Sequence, residues 1–91
     1  MKTITIPVKF LTSTKISSPE KIFILRIKLL MSDENVLYNS NKEIEKLTGY
    51  TIPTIMKHLS DLRKKEVFTP HNNKNGRRII KFTSEFEELL F

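Results

Sequence analysis

Cysteine is absent from this 91-residue chain, and so are alanine, glutamine and tryptophan; glycine occurs twice. Without cysteine there are no disulfides, no thiolate nucleophile and no cysteine-based zinc or iron–sulfur site, and a reducing, cytoplasmic setting is expected. Two glycines do not make a phosphate-cradling loop, and no set of carboxylates stands apart from the basic surface, so an enzymatic role is not expected. His58 and His71 are the only histidines. His58 and Asp61 lie one helical turn apart, but two ligands do not hold a metal alone, so no metal and no cofactor are expected. Long apolar runs are also missing. The most apolar stretch, Lys21–Met31, is interrupted by Arg26 and Lys28 and falls short of the ~20 residues of a bilayer span. It does not begin the chain and no small-residue cleavage site follows it, so neither a membrane segment nor a signal peptide is expected.

What is present is base, unevenly placed. The net charge is +6. Residues 84–91 carry Glu85, Glu87 and Glu88 and no base, which leaves +9 on residues 1–83. Between Lys57 and Lys81 eight bases face two acids, Asp61 and Glu66. A basic excess confined to one segment points to a polyanion partner; the plainer reading is a solvated lysine-rich surface. Richness in Ile, Lys and Asn without Ala or Gln fits coding by an AT-rich genome, as in low-GC bacteria, their plasmids and phages.

The length suits one small domain over residues 1–91. Ile4, Ile6, Val8 and Phe10 alternate and predict a strand or extended arm within residues 1–17, limited to an edge by Pro7. Ser18-Pro19-Glu20 opens a helix to about Met31, with Ile22, Leu25 and Leu29 and, beside them, Phe23, Ile27 and Leu30 as its apolar face; a short strand over Ile22–Ile27 competes. Val36-Leu37-Tyr38 suits a very short strand. Ser40-Asn41-Lys42-Glu43 is a capping box for a helix that buries Ile44 and Leu47 and ends at Gly49. Thr51 caps a third helix to about Lys65, with Pro53 in its first turn and Ile55, Leu59 and Leu62 inward. Glu66–Pro70 and Arg77–Thr83 read as strands joined by the turn His71–Gly76. Ser84–Phe91 closes with a helix carrying Phe86, Leu89 and Leu90 on one side. The fold class is α+β, mostly α.

Two short helices joined through Gly49 and followed by a basic hairpin resemble a winged helix-turn-helix. Leu47, Gly49, Thr51, Pro53-Thr54-Ile55, Leu59, Leu62 and Val67 match the pattern of GntR-type bacterial regulators, and more loosely MarR-type regulators and replication-initiator winged-helix domains. The resemblance covers residues 40–82. It departs at Glu66, where a helix-ending glycine is usual, and at His58, where alanine is common. It implies a three-helix core with a hairpin wing over residues 18–83, double-stranded DNA as partner, the third helix in the major groove and the wing beside it.

Residue chemistry points the same way. With Ile55, Leu59 and Leu62 inward, Ile52, Pro53, Thr54, Met56, Lys57 and Ser60 project outward near the helix start, where base edges are reached. Thr54 and Ser60 can bond bases or phosphates, Lys57 can reach guanine acceptors, and Ile52 and Met56 suit thymine methyls or, alternatively, the N-terminal strand. Thr51 and the first-turn amides suit a phosphate. Ser40, Lys42, Lys64, Asn73, Lys74, Arg77 and Arg78 are the expected backbone and wing contacts, and alternation leaves open which arginine faces DNA. Ile4, Ile6, Val8, Phe86, Leu89 and Leu90 are candidates for a homodimer interface; the alternative is that both chain ends fold back on the first helix. The leading expectation is a sequence-specific regulator of transcription with no small-molecule ligand. A replication-initiation or partition protein and a protein-interaction module are the alternatives.

Overall fold

The computed structural model describes residues 6–69, 72–74 and 77–90. It is α+β and mostly helical, with five helices among these residues and a small antiparallel sheet.

The expected N-terminal strand is instead a short helix, α1 (Val8–Thr12). Pro7 is extended and starts it; the Phe10 and Leu11 amides donate back to the Pro7 carbonyl at 3.2 and 3.3 Å. A strand would put Ile6, Val8 and Phe10 on one face, but only Phe10 is buried, while Val8 is 73% exposed. One phenylalanine anchors this segment, and a single turn of helix delivers it. Ile4 lies outside the described residues.

In α2 (Ser18–Leu30) the cap is Ser17, one residue earlier than the Ser-Pro pair suggests. The Glu20 amide donates to Ser17 Oγ at 3.3 Å and the Ser17 amide to Glu20 Oε1 at 2.9 Å, a reciprocal capping box. The buried stripe is Phe23, Ile24 and Ile27. Ile22 and Leu29, expected inward, face solvent. This helix is apolar nearly all round, so its neighbours rather than its own periodicity decide which side is covered.

Asn35, in the left-handed region at φ 59°, turns the chain into β1 (Val36–Leu37), and both strand residues are buried. Ser40 and Glu43 form the expected box on α3 (Asn41–Thr48), with bonds of 3.2 and 3.1 Å. Ile44 is buried, but Leu47 is 59% exposed. Gly49 ends the helix at φ 82°, a conformation that costs glycine nothing.

The next helix, α4 (Ile52–Lys64), buries Ile55, Leu59 and Leu62 as expected. It ends in a Schellman motif: the Val67 amide donates to the Leu62 carbonyl at 2.8 Å and the Glu66 amide to Arg63 at 3.1 Å. Glu66 therefore occupies the left-handed position that glycine usually takes, at φ 61°. The departure at this residue changes its cost and leaves the end of the helix in place.

β2 (Asn72–Lys74) pairs with β3 (Arg77–Lys81) in the register Asn72↔Ile79, Asn73↔Arg78 and Lys74↔Arg77. β1 lies on the other side of β3, giving the order β1-β3-β2. The strand expected over Glu66–Pro70 shrinks to one bridge between Phe68 and Phe82, and part of the expected turn is strand instead. Asn75 and Gly76 lie outside the described residues. Thr83 opens α5 (Ser84–Leu90), accepting from the Phe86 amide at 3.3 Å while its hydroxyl donates to the Glu66 carbonyl at 2.6 Å. Rings run from the hairpin base to α1: Phe68 stacks on Phe82 at 5.3 Å, Phe82 meets Phe86 at 5.3 Å, and Phe86 meets Phe10 edge-on at 6.0 Å.

Candidate nucleic-acid interface

The orientation of α4 is fixed on its α2 side by a cluster of rings. His58 lies 4.9 Å from Phe23, Tyr50 lies 5.4 Å from Phe23, and the Arg26 guanidinium sits 5.1 Å over the Tyr50 ring. Arg26 also donates to the Thr48 carbonyl at 3.1 Å. The core accommodates His58 at the edge of α4, half-buried, its ring tilted by 35° to Phe23 and edge-on to Tyr50. Further along this side Lys65 Nζ meets Glu20 Oε1 at 2.6 Å. Burial raises the cost of the Glu20 charge, yet the bonds from Lys65 and Ser17 outweigh it and hold the carboxyl below its ordinary pKa.

Opposite the buried stripe, α4 turns Pro53, Met56, Lys57, Arg63 and Lys64 to solvent, with Ile52, Thr54 and Ser60 half-buried. Lys57 and Lys64 are two turns apart and share one line along the helix. The start of the helix differs from expectation. Thr51 makes no side-chain bond to a backbone amide of the helix; its hydroxyl shares a 2.9 Å hydrogen bond with the Thr54 hydroxyl. The Ile52 amide donates instead to Glu45 Oε2 at 3.2 Å. A carboxylate thus holds the position at which a phosphate was expected, and the shortness of the turn at Gly49 brings it there. Glu45 carried no signal in the sequence, since its partner is seven residues away across that turn.

Lys42 is exposed on α3, and Ser40, also exposed, is engaged in its cap. Arg78 points inward. Its guanidinium donates to Asn41 Oδ1 at 2.6 Å and to the Asn39 carbonyl at 2.8 Å, while Nε is buried without a partner. Desolvation lowers its pKa. Arg78 therefore ties β3 to the start of α3 rather than reaching outward, for which half-burial beside two free acceptors is the reason. Asn73, Lys74 and Arg77 belong to the hairpin strands; their side chains lie outside the described residues.

Between α4 and β3 runs a groove of about 380 Å³, lined by Asn41, Met56, Leu59, Ser60, Arg63 and Arg78. Arg63 and Asn41 are the polar members that sequence reasoning missed. The spacing Met56, Ser60, Arg63 (i, i+4, i+7) marks one flank of a helix and was the available signal for Arg63. Among the described residues no group of three or more His, Asp or Glu side chains could hold a metal ion, and no helix is long and apolar enough to cross a membrane.

Of the residues proposed for dimerisation, Phe86 is 6% exposed, packed between Phe10 and Phe82 within one chain, so it is not surface. Ile6 and Val8 are exposed. The side chains of Leu89 and Leu90 lie outside the described residues. No protein-family model matches this chain, and no curated protein or solved structure matches it significantly.

Proposed function

We infer that this chain is a winged helix-turn-helix protein that binds double-stranded DNA sequence-specifically, as a transcriptional regulator acting by occupancy with no chemical step. The reading includes a cytoplasmic setting and a low-GC bacterial, phage or plasmid origin. The observation that carries it is the solvent face of α4. Pro53, Met56, Lys57, Ser60, Arg63 and Lys64 lie on that face with three bases against one acid, the half-buried Asp61 between Lys57 and Lys64, on a helix held by its opposite side. Topology supports the same reading. A helix, a short strand, two helices across a glycine turn and a hairpin follow in order, with the short strand paired to the second hairpin strand. In such a fold α4 enters the major groove and the hairpin lies beside it as the wing. Thr54 and Lys57 are the base-reading candidates near the start of α4, and Lys42 and Lys64 the backbone contacts.

Selection from a random duplex library tests this. The expected result is a reproducible enriched motif. Replacing Lys57 with Ala should cost about 1–3 kcal/mol on that motif and less on random duplex. Failure to enrich any motif contradicts sequence-specific binding, and equal losses on both duplexes reduce Lys57 to a backbone contact.

A further inference from the structure

We propose that the groove between α4 and β3 is a seat for one backbone phosphate of duplex DNA, with Arg63 as its mobile hand and Arg78 as its fixed positive floor. This rests on the DNA-binding reading and adds to it a place, a ligand group and two residue roles.

Arg78 forms the floor of the groove. Its charge is half-buried, and both acceptors that hold it, Asn41 Oδ1 and the Asn39 carbonyl, are neutral. Dipoles orient a guanidinium but do not neutralise it, and desolvation already depresses its pKa. No carboxylate is among the residues lining the groove above it. The groove therefore carries positive potential without an internal counterion, in a wall of low polarity supplied by Met56 and Leu59, which strengthens its field.

Arg63 supplies the second charge. It is exposed and lines the same groove; it also borders a second cavity with Glu66 and Glu85, but among the described residues no hydrogen bond or ion pair holds its guanidinium. Two residues on, Lys65 is engaged with Glu20 on the far side of the helix. Arg63 offers the forked donors that match a phosphate bidentately, and Ser60, one turn earlier on the same flank, adds a hydroxyl. Arg78 is pinned at two nitrogens, so it acts through its field, whereas Arg63 and Ser60 make the contacts. The groove borders the Lys57 and Lys64 face, so a bound phosphate would belong to the strand that this face already approaches.

The test uses Arg63→Gln and Arg63→Lys in the full chain, titrated against the selected duplex and a random duplex over a range of salt. Arg63 is exposed and only its main chain is engaged in the fold, so thermal melts should not move. Arg63→Gln should weaken both duplexes about tenfold at moderate salt. Its log–log salt slope should become shallower by about 0.9, one phosphate contact. Arg63→Lys should restore the slope and only part of the affinity, because ammonium is not bidentate. A neutral methylphosphonate placed at the seated phosphate should weaken wild type and leave Arg63→Gln unaffected. An unchanged slope in Arg63→Gln, or a loss confined to the selected duplex, overturns the seat while wild-type binding keeps the DNA reading intact. Absence of duplex binding by the wild type removes both.

Discussion

Arg78 on the hairpin and Asn41 in the first turn of α3 meet at 2.6 Å, guanidinium to side-chain carbonyl. With the second bond to the Asn39 carbonyl, this contact fixes the hairpin against the helix pair. An arginine that reads from sequence as a DNA contact is thereby a structural clamp. Arg78→Lys cannot hold both acceptors and should destabilise the chain by about 1–3 kcal/mol in denaturant unfolding. A double-mutant cycle with Asn41→Ala should return a non-zero coupling. Additive losses contradict the clamp.

Gly49 and Glu66 both sit at positive φ at a helix end, and they predict opposite signs. A Cβ at Gly49 would meet nothing within 4 Å, so Gly49→Ala is penalised by backbone conformation alone, by about 1 kcal/mol. Glu66→Gly relieves the same strain and should stabilise by up to about 1 kcal/mol, after the entropy that glycine brings to the unfolded chain. Thermal melts of the two variants check both; a destabilised Glu66→Gly contradicts the left-handed assignment.

The Glu20–Lys65 pair sets an acid dependence. The folded pKa of Glu20 lies below its unfolded value, so the unfolded chain binds a proton first as pH falls. The stabilisation is therefore complete above the ordinary carboxylate range and is lost as pH drops through it towards the lowered folded value. Melting temperature followed from neutral pH to about pH 3 should fall more steeply in wild type than in Glu20→Gln. Parallel curves contradict the pairing.

Phe86 and Val8 separate fold from assembly. Phe86→Ala should cost about 3 kcal/mol or more, since the ring is packed between Phe10 and Phe82 inside one chain. Val8→Ser should leave stability nearly unchanged, because Val8 is 73% exposed. Under the proposed homodimer, an interface through Ile6 and Val8, Val8→Ser raises the dissociation constant measured by sedimentation equilibrium. A wild type that is monomeric at tens of micromolar, free and on DNA, excludes that dimer.

Local chemistry made much of this fold legible. Ser40 and Glu43, Gly49, and the stripe Ile55, Leu59, Leu62 all act through neighbours within a few residues, and each has the role its spacing predicts. The features that depend on distant partners were hidden. Phe10 is helical because Phe86, seventy-six positions later, gives it a buried place. Ile22 and Leu29 are outward because Phe23 meets Tyr50 and His58 across the fold. Arg78 turns inward because Asn39 and Asn41 present free acceptors, and Glu45 reaches the start of α4 because the turn at Gly49 is tight. At the candidate interface the central line of α4 was readable from periodicity, whereas its flank at Arg63 became visible only with β3 in place.

The central claim is that the α4 face neutralises DNA phosphates, and the salt dependence of duplex binding tests it most directly. With several contacts from Lys42, Lys57, Arg63 and Lys64, log affinity should fall linearly with log salt, at about 0.9 per phosphate neutralised. A slope of magnitude near 3 or more on the selected duplex, reduced by about one in Lys57→Ala or Lys64→Ala when the lost residue meets a phosphate, is the predicted result. No duplex binding at low salt, or affinity that does not change with salt, would contradict the account.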